Sequence, residues 1–379
     1  MSEAVSARRP SSTIEIRLGT EADRPQILAR MEEVFGSTPA RRVESQWDWR
    51  WQRDPRLPAP GYRGVVATWE GQVIANLATI PAGLQIGGAP AEAWWFVDVL
   101  VHWGLVRRAL RATVAARRAG GGAAGPDLSQ GLAMALFDHP AAGPIQLGKH
   151  VAAQLISIGS RRGFEPLGDT GSRRRRISTS YPLGRLLGRH LGAGLAALVD
   201  PMLGPHPRPR LPVQVHDGPF DARFDALWER LQAAYPAICR RDAALLDWRY
   251  RQPPDLDCTV LTLAGADGLR GYCVVNAFEQ PASGRRRGRR RGRILDLLTA
   301  PEDAPARTAL LAAALATLRR QRVERAECFF CGAELGRLLT TLGFVPKVDR
   351  QGQPSVLWAR HLPAVARGLY ATQGDGDGG

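Results

Sequence analysis

The chain lacks any long uninterrupted run of apolar residues. Arg, Gly or Pro interrupts each apolar stretch within about a dozen residues, whereas a membrane-spanning helix needs roughly 20. Residues 1–12 carry charge but no apolar segment, which argues against a secretory signal. The sequence therefore predicts no spanning helix and a cytoplasmic location, and residues 1–12 and 363–379 are expected to be disordered tails.

Cysteine is scarce, and none occurs before Cys239. The five cysteines are an odd number in a chain without an export signal, which favours reduced thiols. Cys328 and Cys331 form a lone CxxC at the end of a predicted strand. Because a zinc site would need a second ligand pair at a suitable spacing, we predict buried core thiols and no metal site.

Lysine is almost absent, since Lys149 and Lys347 are the two lysines among 51 basic residues. The formal net charge of +15 can indicate a polyanionic partner. Arginine, alanine, glycine and proline are abundant together, however, and a GC-rich genome produces the same composition. The arginine clusters at 173–176 and 285–293 have no interleaved aromatic residues for base stacking, so nucleic acid is not the expected partner.

Four short motifs occur twice in the same order: an alternating strand, an Asp-Trp-Arg triplet, an aspartate within an apolar strand, and Gly-Phe-x-Pro. The anchor pairs are Ile16 and Val215, Trp49 and Trp248, Asp98 and Asp296, and Gly163 and Gly343. The spacing from strand to tryptophan is identical in the two halves, and the spacing from tryptophan to aspartate is nearly so. Such matched spacing predicts an internal duplication, with two unrelated α/β domains as the alternative.

The two halves also share one order of predicted elements. A strand and helix precede a hairpin, an aspartate-bearing strand, a helix, and a second buried strand at 132–137 or 326–330. This order predicts α/β domains, each with a mixed, mostly antiparallel sheet and helices on both faces. The expected boundaries are 13–170 and 212–362, joined by a linker at 171–211.

This element order resembles the GNAT superfamily of acyl-CoA N-acyltransferases. The segment at 94–102 (WWFVDVLVH) looks like tandem GNAT proteins of bacterial polysaccharide systems, and that at 136–140 (LFDHP) is similar to their Gly-Phe-Pro-Asn element. The likeness covers residues 13–362. It implies two tandem GNAT-like domains, each with a splayed parallel strand pair that admits the pantetheine arm of acetyl-CoA or another acyl-CoA.

The resemblance places the donor in the first half. Val99, Leu100 and Val101 are expected to pair with pantetheine, and the start of the next helix is expected to hold the pyrophosphate. The turn is assigned to residues 105–110, in which Arg107, Arg108, Ala109 and Leu110 follow Leu105 and Val106. Because the family's two glycines are missing here, the arginines are expected to compensate through charge-assisted hydrogen bonds. Prolines and carboxylates at 299–305 indicate that the second half is a degenerate copy.

Four polar residues are candidates for catalysis, which requires that the attacking amine lose a proton. Asp98 lies mid-strand among apolar residues, which suits either a base or an ion pair with a neighbouring arginine. His102 ends the same strand near the expected thioester, or is a solvated or core histidine. Asp138 and His139 follow the second predicted strand and are the preferred polar pair at the cleft.

Two further segments have structural interpretations. Trp49-Arg50 and Trp248-Arg249 are expected to pack the indole beneath a hairpin while the arginine extends towards solvent. Residues 181–203 have apolar residues at nearly helical spacing. Packing between domains is the expected role of such a helix, and peripheral membrane contact, with Arg185 and Arg189 at the polar edge, is the alternative.

The sequence thus predicts an N-acyltransferase that moves an acyl group, expected to be acetyl, from CoA to the amine of a small molecule or sugar. Two alternatives stay open. A non-catalytic GNAT-like binding protein is one, because neither half has an intact phosphate turn. A Fem-type aminoacyl transferase that uses aminoacyl-tRNA is the other, because its nucleic-acid substrate would match the basic charge.

Overall fold

The architecture is that of a computed structural model. It describes residues 13–118, 131–149, 159–203, 207–280, 289–348, 352 and 355–376. The chain divides into unit 1, Met1–Pro81 with Trp94–Gln146, and unit 2, Ala82–Ala93 with Leu147–Gly379. Unit 2 therefore begins well before the boundary expected at residue 170, and it also takes in a short segment from the first half.

Within these residues, ten helices and eighteen strands follow one another along the chain. The helices are α1 (Arg24–Phe35), α2 (Ser37–Trp51), α3 (Trp103–Arg118), α4 (Leu132–Phe137), α5 (Ser180–Leu187), α6 (Arg189–Val199), α7 (Ala222–Leu231), α8 (Ala243–Tyr250), α9 (Ala304–Arg320) and α10 (Ala333–Thr341). The strands are β1 (Glu15–Leu18), β2 (Gly64–Trp69), β3 (Gln72–Pro81), β4 (Leu84–Ile86), β5 (Ala89–Ala91), β6 (Ala93–Val101), β7 (Ile145–Lys149), β8 (Phe164–Leu167), β9 (Thr170–Arg176), β10 (Val213–His216), β11 (Ala237–Cys239), β12 (Cys258–Gly265), β13 (Gly268–Gln280), β14 (Arg289–Thr299), β15 (Arg325–Cys331), β16 (Val345–Pro346), β17 (Leu357–Arg360) and β18 (Leu369–Tyr370).

In unit 1 the strands β1, β2, β3 and β6 are antiparallel neighbours in that order, and the first residues of β7 continue the sheet. The hairpin between β2 and β3 turns at Glu70 and Gly71, which have φ values of 51° and 74°. Two successive residues with positive φ are typical of the tight turn that suits the right-handed twist of paired strands. This hairpin was predicted from its Glu-Gly signal.

Strand β6 is distorted at Asp98. Its pairing with β3 shifts, so that Asn76 lies opposite Leu100 and Ala78 lies opposite Val97. Asp98 itself has φ = 47°, a left-handed conformation that aspartate tolerates better than most residues. Such a bulge bends a strand and changes the direction of a side chain, so it decides where the candidate carboxylate points.

The strand predicted at 132–137 is wrong, because these residues form helix α4. Gly131, with φ = 91°, precedes the helix. A short apolar run of this length fits a buried strand and a buried helical turn equally well, since periodicity cannot separate them. The strand that follows in sequence is β7, so the proposed gap between residues 99–101 and 132–137 is not a gap between two strands.

Unit 2 has a large sheet in the order β10–β12–β13–β14–β15–β9–β16, in which β14 and β15 are parallel. Strands β18, β11, β4 and β5 form a smaller sheet, and β17 pairs antiparallel with β8. Helix α9 covers one face of the large sheet, where Leu310 and Leu318 are buried. Helices α7 and α8 cover the other face with Phe224 and Leu246. The predicted α/β class, with two mixed sheets that each contain a parallel pair, is confirmed.

The arginines at 173–176 do not begin a linker as expected, because they belong to β9. That strand pairs with β15, with Arg173 opposite Cys328, and also with β16. In the second arginine cluster, residues 289–293 lie in β14, whereas 285–288 lie outside the described residues.

Residues 364–376 are folded, which corrects the expectation of a disordered tail there. Leu369–Tyr370 form β18, which pairs with β11, and Asp375 is fully buried. Residues 1–12 and 377–379 lie outside the described residues.

Candidate functional site

Asp98 forms an ion pair with a buried arginine. Arg50 Nη1 lies 2.5 Å from Asp98 Oδ2, and Arg50 Nη2 donates to Gln46 Oε1 at 2.7 Å. The side chain of Arg50 is 3% exposed and that of Asp98 is 15% exposed. Arg50 therefore does not extend towards solvent as predicted. Asp98 forms the ion pair with a neighbouring arginine that was one of its two expected roles. Trp49, as predicted, is buried.

The bulge at Asp98 is also held from strand β3. Asn76 Nδ2 donates to the Asp98 carbonyl at 3.3 Å, and Tyr62 Oη donates to Asn76 Oδ1 at 2.5 Å. Burial, reinforced by the charge of Asp98, raises the pKa of Tyr62 well above its usual range. The hydroxyl thus stays protonated and donates, and this chain of hydrogen bonds fixes the backbone of the bulge.

His102 connects the end of β6 to the start of α3. Its Nδ1 accepts a hydrogen bond from the Leu105 amide at 3.1 Å, and its Nε2 lies 3.1 Å from Glu33 Oε2. Because Nδ1 is an acceptor, the proton of the neutral ring is on Nε2 and points to the carboxylate. His102 therefore acts as the N-cap of α3 in this geometry, with both ring nitrogens engaged.

Helix α3 starts earlier than the predicted pyrophosphate turn. Residues 107–110 lie inside the helix, so the amides at its N-terminus belong to Trp103 and Gly104. A Cβ on Gly104 would meet only the His102 ring among the described residues within 4 Å, so this backbone is open to close approach. Residues 103–106 contain no carboxylate, and Arg107 and Arg108 are exposed. This end of the helix has the charge and space that suit an anion.

Asp138 and His139 follow helix α4 and not a strand. His139 Nδ1 accepts from the Ala141 amide at 3.2 Å and caps a short 3-10 helix, while the side chain of Asp138 is exposed. Phe137, at the end of α4, makes an edge contact with Phe96 of β6, with the ring centroids 5.1 Å apart. Asp138 and His139 thus lie beside β6. Their described contacts differ from those of Asp98, which are with α2 and β3.

In unit 2 the parallel strands β14 and β15 separate part of the way along their length. The pairing of β14 with β15 extends from Arg291 opposite Arg325 to Ile294 opposite Cys328, whereas β14 continues to Thr299. The predicted splayed pair is therefore present in this half.

The end of the chain lies against β14 where the two strands have separated. Gly374 N donates to the Leu295 carbonyl at 2.7 Å, and Tyr370 Oη donates to the Leu297 carbonyl. Carbonyl groups that a splayed strand would offer to pantetheine are thus bonded by the chain itself. The carbonyl groups of Leu295 and Leu297 are therefore already hydrogen-bonded within the chain.

Asp375 anchors this C-terminal segment. Its Oδ2 lies 2.5 Å from Arg241 Nη2 and its Oδ1 lies 2.9 Å from Arg249 Nη1. Burial alone would raise the pKa of Asp375, but the charges of Arg241 and Arg249 outweigh it and hold the pKa well below its usual range. Lys149 also donates to the carbonyl of Thr372 at 2.9 Å.

Sequence reasoning missed this cluster because a glycine-rich end has the composition of a tail. The rarity of lysine was the one signal that could have drawn attention to Lys149. Asp296, the repeat counterpart of Asp98, lies 3.2 Å from Arg241 Nε and accepts from Tyr272 Oη at 3.0 Å. An aspartate–arginine pair therefore recurs, although Arg241 is not the counterpart of Arg50.

A cavity of about 250 Å³ opens beside the C-terminal ends of β14 and β15. Arg307 lines it and lies 3.1 Å from Glu334, and the Asp303 carboxylate caps α9 by accepting from the Ala306 amide at 3.0 Å. The charges at this end are already paired within the chain.

The five cysteines are buried free thiols, which confirms the prediction of core thiols. Burial raises the pKa of Cys328 and of Cys331 to about 12. In the part of the chain that the structure describes, no group of three or more His, Cys, Asp or Glu residues could hold a metal ion.

No protein-family model and no curated protein sequence matches the chain. Its structure is similar to that of Saccharomyces cerevisiae N-myristoyltransferase with bound myristoyl-CoA, with a TM-score of 0.55, 11% identity, and coverage of 94% of this chain and 86% of that one. It is also similar to a GCN5-related N-acetyltransferase from Anabaena variabilis, with a TM-score of 0.51, 14% identity, and coverage of 93% and 74%. The chain has the tandem GNAT fold that the sequence resemblance implied.

Proposed function

We propose that the chain is an acyl-CoA-dependent N-acyltransferase whose donor binds in unit 1, along β6 and at the start of α3. The observation that carries this proposal is the N-terminus of α3. It offers the amides of Trp103 and Gly104, no carboxylate in its first turn, and exposed Arg107 and Arg108 one turn later. The yeast N-myristoyltransferase, of the same fold, has myristoyl-CoA bound.

The CoA pyrophosphate is assigned to this helix end, where the N-terminal amides and the helix dipole favour an anion. Arg107 and Arg108 add charge-assisted hydrogen bonds in place of the family's glycine-rich turn. The pantetheine arm is assigned to Val99, Leu100 and Val101, which follow the bulge. Leu100 is buried and its neighbours are half-buried.

The reaction joins the amine nitrogen to the thioester carbonyl carbon and breaks the carbon–sulfur bond. The amine gives up a proton and CoA leaves as a thiolate, which then takes up a proton. We assign the first proton to Asp98, directly or through water, because its partly exposed carboxylate lies at the bulge beside the donor strand. Arg50 holds this carboxylate in place, and Asp138 and His139 are assigned to the thiolate side.

Acetyl-CoA is the expected donor, and the expected acceptor is the amine of a small molecule or sugar. The binding experiment measures thermal stability with CoA, acetyl-CoA and myristoyl-CoA. A ligand present at 100 times its Kd stabilises the native state by about 2.7 kcal/mol, which raises the Tm measurably. We expect the R107A/R108A variant to lose this shift. The R41A/R42A variant removes an adjacent, exposed arginine pair from α2 of the same unit and should retain it.

Loss of the shift in both variants, or in neither, would contradict the assignment of the pyrophosphate. Turnover is measured as the release of CoA thiol from acetyl-CoA in the presence of a panel of amines. A CoA-dependent thermal shift without turnover on any amine would favour the non-catalytic binding protein. Stabilisation by aminoacyl-tRNA instead of acyl-CoA would favour the aminoacyl transferase.

A further inference from the structure

Helices α5 and α6 form a hairpin with an exposed apolar surface. Gly188, with φ = 84°, joins Ser180–Leu187 to Arg189–Val199. The most exposed apolar side chains are Leu191 at 73%, Leu198 at 74% and, just after α6, Met202 at 84%. Other large apolar side chains of the hairpin that are also exposed are Leu186, Leu187 and Leu195. Packing between domains, the role expected of this segment, does not cover these side chains.

The two helices touch through small residues. A Cβ added to Gly192 of α6 would lie 2.2 Å from the Gly184 amide nitrogen of α5, so the backbones are nearly in contact. Ala196, one turn further on, is the buried side chain of α6, whereas Val199 is half-buried. Small residues on the inner side direct the large apolar side chains outwards.

Helix α6 is apolar around its whole circumference after its first turn. From Leu191 to Val199 it contains leucine, glycine, alanine and valine, with no charged or polar side chain. A helix of this composition is normally buried in a protein core or in lipid. Here the inner side contacts α5 and the rest is exposed, so a covering partner must be apolar.

The charge around the hairpin indicates which partner that is. Residues 177–199 contain Arg185, Arg189 and no aspartate or glutamate, and Arg176 just before them is exposed. Arg185 and His190 of the hairpin are exposed. A second copy of the chain would bring these arginines together without an acidic partner, whereas an anionic lipid surface offers them phosphate or carboxylate groups.

We propose that the α5–α6 hairpin inserts into the interface of an anionic lipid bilayer. An 11-residue helix is about 16 Å long, roughly half of the 30 Å hydrocarbon core, so it reaches into one leaflet only. No helix in the described part of the chain has the length and apolar character to cross a membrane. The anchoring is independent of acyl transfer and goes beyond the proposed function, because it concerns the place where the protein acts.

Sedimentation of the full chain with sucrose-loaded vesicles tests the proposal. We expect binding to vesicles of phosphatidylcholine and phosphatidylglycerol in a two-to-one ratio, and at least tenfold weaker binding to phosphatidylcholine alone. The L191S/L198S variant should bind the anionic vesicles at least tenfold more weakly than the wild type. Both side chains are exposed, so the change should leave the Tm unaltered. The V365S variant changes a valine that is 71% exposed on another element and should bind like the wild type.

A second measurement follows the hairpin directly. Because the five native cysteines are buried, L195C provides one accessible thiol for an environment-sensitive NBD label. We expect the NBD emission to shift to shorter wavelength and rise several-fold with anionic vesicles. Equal sedimentation of L191S/L198S and wild type, or an NBD signal unchanged by vesicles, would overturn the proposal. A wild-type dimer that L191S/L198S converts to a monomer would identify the surface as a self-association site instead.

Discussion

Arg249 Nη1 lies 2.9 Å from Asp375 Oδ1, although 126 residues separate the two in the chain. In the internal repeat, the counterpart of Arg249 is Arg50, which pairs instead with Asp98. The Asp-Trp-Arg motif has thus kept a buried arginine in both copies, but the carboxylate comes from a different part of the chain. In unit 2 that carboxylate belongs to the segment that occupies the edge of β14.

Replacing Asp375 should destabilise the protein strongly. D375N leaves Arg249 buried without its carboxylate and Arg241 with Asp296 as its remaining one, and the loss of a partner from a buried ion pair typically costs about 3–5 kcal/mol at pH 7. Urea unfolding measures this change in the free energy of unfolding. D267N, in an exposed turn of the same unit, is the control and should change it by less than about 0.5 kcal/mol.

The effect of Asp375 should depend on pH. Its pKa is lower in the folded state than the usual value near 4, so its stabilising contribution is complete above about pH 5 and is lost as the pH falls through the acidic range. The stability difference between wild type and D375N should therefore shrink between about pH 5 and pH 3. A difference that grows on acidification would show that Asp375 is not ionised in the native state.

The Arg50–Asp98 pair can be tested by a double-mutant cycle. D98N keeps a residue that tolerates positive φ and should cost about 3 kcal/mol, because it leaves the Arg50 guanidinium buried without a charged partner. R50M/D98N should be less destabilised than the sum of R50M and D98N, with a coupling energy above about 1 kcal/mol. Additive effects would mean that the pair contributes no interaction of its own.

The same variants separate structure from chemistry. If Asp98 accepts the amine proton, D98N should lower kcat by at least a hundredfold while the Kd for acetyl-CoA stays within about threefold. If D98N remains folded at the assay temperature and keeps its kcat, Asp98 has a structural role and does not accept the amine proton.

His102 should behave as a helix cap. H102A should lower the free energy of unfolding by about 1 kcal/mol, because the Leu105 amide loses its acceptor, whereas H102N should largely restore stability since asparagine is a favourable N-cap. Circular dichroism melts provide the comparison. If H102N is stable and keeps its turnover, the imidazole of His102 is not required for catalysis.

The reactivity of the thiols tests whether the five cysteines are buried. We expect no reaction of the native protein with DTNB at pH 8, because the five cysteines are buried and burial raises the pKa of Cys258 to about 12. Five thiols should react after denaturation in guanidinium chloride. Rapid reaction of the native protein would place at least one of these cysteines at the surface.

Local patterns predicted most of the elements correctly. The hairpins β2–β3 and β12–β13 follow from alternating apolar residues around Glu-Gly and Asp-Gly turns, which depend only on neighbouring residues. The error at 132–137 is also local, because six apolar residues do not reveal a period. The composition of the C-terminal segment is that of a tail and gives no hint of the arginines that bind Asp375.

The sequence by itself determined the α/β class, the tandem arrangement and most of the order of strands and helices. Each of these is encoded in the period and spacing of residue types along the chain. Tertiary structure alone decided that Arg50 meets Asp98, that Arg249 meets Asp375, and that the chain's own end bonds to β14. Partners so far apart in sequence come together only through the topology of the sheets, and no local period carries that information.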